Sequence, residues 1–175
     1  VCRDEEFMDL ATRSGLLHVN MGMESISQET LAAMNKRFNK VCDYDEILSS
    51  LRKRGISYSL NFVFGFDSEN PEVFPATLEF LRRQKVPVAY FYILSPQKGT
   101  PLYERMKREG RLIDSEGMRR TPGNICDIKP TYCSPEELER SVQGLYDEFY
   151  TVPSIVRRLP KRLTKANLAS WVLNF

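Results

Sequence analysis

The sequence lacks any run of about 18 apolar residues that could span a bilayer as a helix, and it does not open with a charged and then apolar signal peptide. It also lacks a Cys-x2-Cys pair. Its four cysteines are widely scattered, which favours free thiols over a zinc-like site. They are Cys2, Cys42, Cys126 and Cys133. We therefore expect a cytoplasmic protein that holds no metal through its own cysteines.

An excess of one charge is also lacking, since 25 basic residues nearly balance 23 acidic ones and give a net charge of +2. The totals therefore give no reason to expect nucleic acid as a partner. A chain of 175 residues is long enough for one domain with a sizeable core. Because the chain begins at Val1 and residues 4–14 already have a helical pattern that ends at Gly15, we expect it to start within a fold.

The segment from Tyr58 to Asp67 has the period of a strand whose two faces differ in chemistry. Its polar face carries glycine and a short amide instead of Lys or Glu, which indicates close approach by a ligand or a neighbouring backbone. The segment from Leu16 to Ser25 has the same design. The apolar faces carry Tyr58, Leu60, Phe62, Phe64 and Phe66, and Leu17, Val19, Met21 and Met23; the polar faces carry Ser59, Asn61, Val63, Gly65 and Asp67, and His18, Asn20, Gly22 and Glu24.

Two helices are predicted between these strands. Ser27 is a suitable N-cap for a helix whose apolar stripe includes Leu31, Met34 and Phe38. Asp43 is expected to cap the second helix, which ends in basic residues before the next strand.

Beyond these strands, the sequence predicts one more helix after Asn70-Pro71 and a third strand from Val86 to Ser95 that stops at Pro96. Thr100 is the expected N-cap of a helix over residues 102–109. Residues 111–132 are rich in turn signals, including residues 121–124, with a short possible strand at 125–128. Ser134 and Glu137 then form a capping box that begins a long amphipathic helix.

Helical connections of some thirty residues between strands imply parallel pairing with right-handed crossovers. The fold class is therefore α/β, a parallel sheet with helices outside. Ligands of such folds gather at the carboxyl ends of the strands, which here carry Glu24-Ser25, Gly65 to Asp67 and Ser95-Pro96. Three strands alone leave an exposed edge, so either the amino-terminal strands are missing or another chain supplies them, and we expect the missing amino-terminal half.

Four segments in this order resemble the later half of the radical S-adenosylmethionine (SAM) barrel, in the subgroup with an amino-terminal cobalamin (B12)-binding domain. They are Gly22-Met23-Glu24-Ser25, Met34-Asn35-Lys36, Phe62 to Asp67, and Gly99-Thr100-Pro101-Leu102-Tyr103. The resemblance implies a TIM-like partial (β/α)6 barrel, of which these would be the fourth, fifth and sixth strands. It implies the barrel's carboxyl-terminal half in residues 1–110, an irregular connection in 111–133 and a helical extension in 134–175.

The resemblance also implies a SAM site. Glu24 and Ser25 match the end of the fourth strand that contacts ribose, and Lys36 or Arg37 would pair with the SAM carboxylate. Asn61, Val63 and Gly65 match a Gly-x-Ile-x-Gly-x-x-Glu pattern near adenine, with Asn61 in place of the first glycine and Ser68 in place of the glutamate. The sixth-strand segment that presents backbone groups to adenine comprises Ile93, Ser95 and Pro96.

Such enzymes use a 4Fe-4S cluster to cleave SAM into a deoxyadenosyl radical, and the cobalamin subgroup includes methyltransferases. This chain has no Cys-x3-Cys-x2-Cys, so its cluster ligands are absent and it should not cleave SAM alone. The parent would then supply the cluster, and cobalamin through an absent domain. The expected substrate is a small molecule or a lipid.

Several alternatives stay open. The chain could be a noncatalytic α/β module that binds a nucleotide or a partner chain, or a (β/α)8 half-barrel of different function. Glu24 could form an ion pair within a barrel, Asp67 could cap a turn, and His18 suits a hydrogen bond in the core better than proton transfer. The basic, apolar tail around Trp171 either packs on the barrel or contacts an anionic membrane surface.

Overall fold

The computed structural model describes residues 4–113, 125–160, 164–165 and 167–174. The predicted turn at 121–124, Cys2, and the tail residues Lys161 and Arg162 lie outside the described residues. A short 3₁₀ turn, Val41–Asp43, precedes the third helix. The elements in chain order are α1 (Glu5–Arg13), β1 (His18–Glu24), α2 (Gln28–Ala33), α3 (Tyr44–Lys53), β2 (Ser57–Phe64), α4 (Val73–Arg83), β3 (Val88–Ile93), α5 (Pro101–Arg108), α6 (Pro135–Phe149), α7 (Val152–Arg158) and α8 (Leu168–Val172).

The three strands form one parallel sheet in the order β1-β2-β3, which confirms the predicted α/β class. Asn20 lies beside Ser59 and Gly22 beside Asn61, and Asn61 in turn lies beside Tyr90. Because residues in register share a face of the sheet, the polar sides of the strands form one continuous surface. We call this surface the polar face; on β3 it continues through Tyr90 and Tyr92.

The opposite face of the sheet carries the core, as its aromatic residues predict. Phe62 stacks on Phe91 at 6.3 Å between ring centroids and meets Phe80 of α4 edge to face at 6.5 Å. Phe64 stacks on Phe74 at 5.2 Å. Such aromatic pairs contribute roughly 0.5–1.5 kcal/mol each beyond the burial of their area. They fix the helical layer against the sheet and leave the polar face on the other side.

Helix α2 is shorter than its apolar stripe predicts. It ends at Ala33, and Asn35 then adopts a positive φ of 59°. Phe38 is therefore outside the helix and 76% exposed, so the expected stripe residue is not part of the core. Asp43 makes no side-chain capping hydrogen bond to the described start of α3, contrary to expectation. The early end of α2 places Lys36 in a turn, from which its side chain reaches β1.

The other three predicted caps are confirmed. Ser27 Oγ accepts the backbone N–H of Thr30 at 3.3 Å and begins α2. Thr100 Oγ1 accepts the backbone N–H of Tyr103 at 3.2 Å and begins α5. At α6 the Ser134 hydroxyl accepts the Glu137 N–H at 3.2 Å, and the Glu137 carboxylate accepts the Ser134 N–H at 2.8 Å. Capping of this kind stabilises a helix by about 1 kcal/mol.

Tyr146 of α6 and Tyr150, the residue that follows the end of α6, cover the free edge of β3. The Tyr146 hydroxyl accepts the Phe91 N–H at 3.0 Å and donates to the Phe91 carbonyl at 3.1 Å. One helical turn later, the Tyr150 hydroxyl accepts the Ala89 N–H at 3.3 Å and donates to the Ala89 carbonyl at 2.8 Å. The two hydroxyls therefore take the hydrogen bonds that a further strand would make, and the sheet ends at β3.

The rest of the chain returns to the sheet. The predicted strand at residues 125–128 is only an isolated antiparallel bridge between Leu112 and Ile128. At the amino-terminal end of β2, the hydroxyl of Ser57 is hydrogen-bonded to that of Ser170 in α8, so the tail packs against the sheet. Among the residues that the structure describes, no helix is long and apolar enough to cross a membrane.

Candidate functional site

A chain of hydrogen bonds connects four side chains of the polar face. His18 Nε2 lies 3.1 Å from Ser59 Oγ, Ser59 Oγ donates to Asn20 Oδ1 at 3.0 Å, and Asn61 Nδ2 donates to the same oxygen at 2.8 Å. Since the single hydroxyl proton of Ser59 goes to Asn20, Nε2 of His18 carries the proton donated to Ser59. Burial lowers the pKa of His18, so the ring stays neutral. The histidine thus makes a hydrogen bond as predicted, but the bond lies on the half-buried polar face and not in the core.

Glu24 and Lys36 form an ion pair at the carboxyl end of β1. Lys36 Nζ donates to Glu24 Oε1, and the side chain of Glu24 is the more buried of the two, at 14% exposed against 37%. The ladder between β1 and β2 is irregular between Gly22 and Glu24, and Glu24 has a φ of 67°. This distortion turns the carboxylate back over the strand towards Lys36.

Gly22 leaves the space that the Glu24 carboxylate occupies. A Cβ on Gly22 would lie 2.5 Å from Glu24 Oε1. Any larger residue would therefore displace the carboxylate, although the flexible side chain could move without disrupting the strand. Glycine at this position permits a close approach, but what approaches is the side chain of Glu24 and not the ligand or neighbouring backbone that the sequence predicted.

Tyr44, which the sequence analysis did not single out, holds the distorted end of β1. Its hydroxyl lies 2.9 Å from the carbonyl oxygen of Met23 and 3.1 Å from that of Ser25. Burial, and then the charge of Glu24, raise the pKa of Tyr44, so the phenol remains a donor. Ser25 is itself buried, and its hydroxyl accepts the Ser27 N–H at 3.1 Å. The first residue of a predicted helix carries no sequence signal for such a role.

The turn after β2 is held by Glu69. Its Oε2 accepts the backbone N–H groups of Gly65 at 2.8 Å and Phe66 at 3.1 Å, and the Tyr132 hydroxyl lies 3.3 Å away. Burial outweighs these hydrogen bonds and raises the pKa of Glu69 to about 7. Ser68 stands where the motif has its glutamate, and the carboxylate that holds this turn belongs to the next residue, Glu69. The acid four residues after Gly65 was the available signal.

Gly65 has a φ of +108°, and a Cβ there would lie 3.1 Å from Leu138 Cδ2 of α6. What approaches this glycine is thus a side chain of the carboxyl-terminal helical region. Asp67, two residues later, forms a two-pronged ion pair with Arg111, at 2.6 and 2.9 Å. The hydrogen bonds from Arg111 lower the pKa of Asp67.

The predicted residues at the end of β3 differ in accessibility. Ile93 is buried on the core face of the sheet, so only its backbone could reach a ligand on the polar face. Ser95 donates to Asp127 Oδ2 at 3.3 Å, and Pro96 beside it is half-buried. Arg37 is exposed in the turn after α2. Val63, the next residue after Asn61 on the polar face, is half-buried.

One groove joins three of the segments that the sequence analysis singled out. It has a volume of about 450 Å³ and lies at the carboxyl ends of the strands. Lys36 lines it and also bonds Glu24 at the end of β1, whereas Glu24 itself is not part of the lining. Its lining comprises Ala33, Met34, Asn35, Lys36, Phe66, Asp67, Ser68, Thr100, Pro101, Leu102 and Arg105.

The described residues do not fit an iron-sulfur cluster. Cys42, Cys126 and Cys133 are free thiols, and burial raises the pKa of Cys126 to about 11. Within the described ranges, no group of three or more His, Cys, Asp or Glu side chains could hold a metal ion. The chemistry that this part of the chain can offer is binding, through one ion pair, polar side chains and backbone groups at the strand ends.

Comparison with protein families matches residues 100–171 to the family described as a domain of unknown function, DUF4070. Among curated proteins, the chain is 36% identical over 109 residues to bacteriochlorophyllide d C-12(1)-methyltransferase of Chlorobaculum tepidum, covering 62% of this chain and 24% of that protein. It is 30% identical over 146 residues to the C-8(2)-methyltransferase of the same organism, covering 83% and 32%. The hopanoid C-2 methylase of Rhodopseudomonas palustris is 24% identical over 66% of the chain and 22% of its own length.

A solved structure is similar as well. It is the radical S-adenosylmethionine methyltransferase TsrM from Kitasatospora setae, with cobalamin and a [4Fe-4S] cluster bound. The TM-score is 0.54 and the identity 25%, over 79% of this chain and 28% of that one. The chain thus spans between a fifth and a third of the length of these four relatives.

Proposed function

This chain is related to the radical SAM superfamily, and we propose on that premise that it forms the carboxyl-terminal part of a SAM-binding barrel. In a parent protein, the barrel would be a partial (β/α)6 barrel in which β1, β2 and β3 are the fourth, fifth and sixth strands. Residues 1–110 would complete the barrel, 111–133 connect it, and 134–175 form the helical extension. The parent would be a cytoplasmic, cobalamin-dependent methyltransferase acting on a small molecule or lipid.

The observation that carries this proposal is the groove at the carboxyl ends of the strands. Three separate segments that resemble the superfamily line it, and the fourth reaches it through the Glu24–Lys36 ion pair. Helices and turns distant in sequence therefore converge on one place, where parallel α/β folds bind ligands.

The residues have complementary chemistry for SAM. The carboxylate of Glu24 would accept the ribose hydroxyls, and the ammonium of Lys36 would pair with the carboxylate of SAM. In the structure the two side chains neutralise each other, so SAM would insert between them or share their free hydrogen-bonding positions. Asn61 and Val63 on the polar face, and the backbone near Gly65 and Ser95, would contact adenine.

The cluster and cobalamin would come from other parts of the parent, because the described cysteines do not fit a cluster. When bound, the cluster would supply the electron that cleaves SAM. The residues of this chain would bind and orient SAM and exclude water from it. We expect no SAM cleavage by the chain alone.

Isothermal titration of the purified chain with SAM tests the proposal. Glu24→Gln and Lys36→Met should each weaken binding about tenfold, since each removes a hydrogen bond to a charged group. Gly22→Ala should weaken it as well, with an unchanged unfolding curve, because the methyl group displaces the Glu24 carboxylate. Lys40→Met is the matched control, as Lys40 is a lysine outside the lining of the groove.

Equal SAM affinity in the wild type, Glu24→Gln and Lys36→Met would contradict the assignment of the site. Tight binding of ATP with no preference for SAM would favour the noncatalytic nucleotide-binding module instead. Absence of the Cys-x3-Cys-x2-Cys motif from the sequence upstream of Val1 in the parent gene would refute the radical SAM assignment.

A further inference from the structure

The last part of the chain has an unusual charge distribution. Residues 149–175 contain five basic residues and no acidic one. Since the whole chain has a net charge of +2, the first 148 residues carry a net charge of −3. The nearly neutral net charge of the whole chain is therefore the sum of a basic tail, residues 149–175, and an acidic remainder. The basic residues are Arg157, Arg158, Lys161, Arg162 and Lys165.

The same tail exposes aliphatic side chains. In α7, Val152 and Val156 are 65% and 68% exposed, four residues apart and hence on one side of the helix. In α8, Leu168 and Val172 are exposed with the same spacing, and Leu173 follows them. Water-exposed aliphatic residues that recur at helical spacing beside basic residues are typical of a surface that binds a partner.

The exposed side of α7 is fixed because its other side is anchored. Arg158 is buried, with its guanidinium 3.8 Å from the centroid of the Phe149 ring. It donates to the carbonyl oxygens of Phe149 at 2.6 Å and Pro87 at 3.2 Å, so its donors are already used within the protein. Ile155 is buried as well. The tail therefore packs on the amino-terminal end of the sheet with one side and presents the valines on the other.

A cavity of about 500 Å³ lies where α7 and α8 meet the amino-terminal ends of β2 and β3. Four cations line it, namely Arg52, Lys85, Arg157 and Arg158, and its described lining includes no carboxylate. Hydroxyl and amide groups of Ser57, Thr164, Asn167 and Ser170 complete the polar lining. Arg52 and Arg158 already donate to carbonyl oxygens of the protein, so the exposed Lys85 and Arg157 are the cations through which this cavity would bind an anion. The cavity lies at the opposite end of the strands from the groove.

We propose that this end of the molecule is a docking surface for an anionic bilayer. The cavity receives a lipid phosphate, and the exposed side chains of α7 and α8 enter the boundary between headgroups and acyl chains. Charge complementarity to anionic lipid is given by the tail, and the aliphatic character of its exposed residues favours lipid over single-stranded nucleic acid, which is bound through aromatic stacking. This inference does not depend on SAM binding.

Co-sedimentation of the purified chain with vesicles tests the proposal. We expect binding to equimolar phosphatidylglycerol and phosphatidylcholine, no binding to phosphatidylcholine alone, and weaker binding as salt increases. Replacing Lys85 and Arg157 together with Gln should reduce vesicle binding about 25-fold, since each basic residue near an anionic surface contributes about fivefold. The matched control is Lys107→Gln with Arg108→Gln, two exposed cations of α5.

The apolar contribution has its own variant. Val156→Ser should reduce vesicle binding about tenfold through the lost burial of one aliphatic side chain, whereas Leu10→Ser on the exposed side of α1 should leave it unchanged. Because all these residues are exposed, unfolding curves should match the wild type.

Three results would overturn the proposal. If the Lys85/Arg157 variant bound vesicles as strongly as the wild type, the cavity would have no role in lipid binding. Full displacement from vesicles by inorganic phosphate at constant ionic strength would identify a site for a soluble anion. Stronger binding to RNA than to the anionic vesicles would identify a nucleic-acid surface.

Discussion

Glu69 gives the sharpest prediction about stability. Its carboxylate is buried at the turn after β2, where Oε2 accepts two backbone N–H groups and Oε1 has no hydrogen-bond partner among the described residues. Burial raises the pKa to about 7 from an ordinary value of 4.5. The difference between these two pKa values corresponds to about 3 kcal/mol.

The sign follows from which state releases its proton first. As the pH rises from 4.5 to 7, the unfolded chain loses the Glu69 proton while the folded chain retains it. The free energy of unfolding therefore falls over this range by about 3 kcal/mol from this group alone, and stays constant above it. Below pH 4.5 the carboxyl group is protonated in both states and the penalty is absent.

Glu69→Gln removes this titration while keeping a side chain of the same shape. Urea unfolding of both proteins at about pH 5 and about pH 8 should show that the variant gains about 3 kcal/mol relative to the wild type at the higher pH. Contributions of other groups cancel in that difference. Glu79→Gln, at an exposed position of α4, should give no such change. An identical pH dependence in the wild type and Glu69→Gln would refute the reasoning.

Two further predictions concern the sheet. Tyr146→Phe should lower the free energy of unfolding by about 1–3 kcal/mol, because the N–H and carbonyl of Phe91 lose their partner. Tyr103→Phe on α5 is the control and should have little effect in the same urea titration. An equal loss of stability in both variants would contradict the contacts of Tyr146 with the edge of β3. Gly65→Ala should cost about 1–3 kcal/mol because of its positive φ and the close Leu138 side chain. Gly144→Ala within α6, where a Cβ meets nothing within 4 Å, should instead raise the free energy of unfolding by up to about 1 kcal/mol. If both glycine variants changed the free energy of unfolding in the same direction, this reasoning would be refuted.

The strands and most helices could be predicted because local chemistry determines them. The alternation in Tyr58 to Phe64 predicts a two-faced strand, and the caps at Thr100 and Ser134 are predicted from residues one and three positions further on. The end of α2 could not be predicted from its apolar stripe. Phe38 has the right spacing, but the positive φ of Asn35 ends the helix before it.

The contacts among the candidate site residues were only partly predictable from the motif order. Glu24 and Lys36 are twelve residues apart, and the resemblance named both, although not that they bind each other. Tyr44 and Glu69 were missed because their roles depend on burial against the ends of β1 and β2, which no local pattern reveals. The same holds for Tyr146 and Tyr150, whose spacing predicts only a buried helical side.

The hydroxyls of Tyr146 and Tyr150, which bond the edge of β3, also determine on which side the sheet can be extended. An unpaired strand edge recruits other strands, from the same chain or from other molecules, and leads to aggregation when it is left open. Here the edge at β3 is closed by side chains that a helix supplies. Any extension of the sheet must therefore add its strands beside β1, and intermolecular strand pairing in this molecule is directed to that single side.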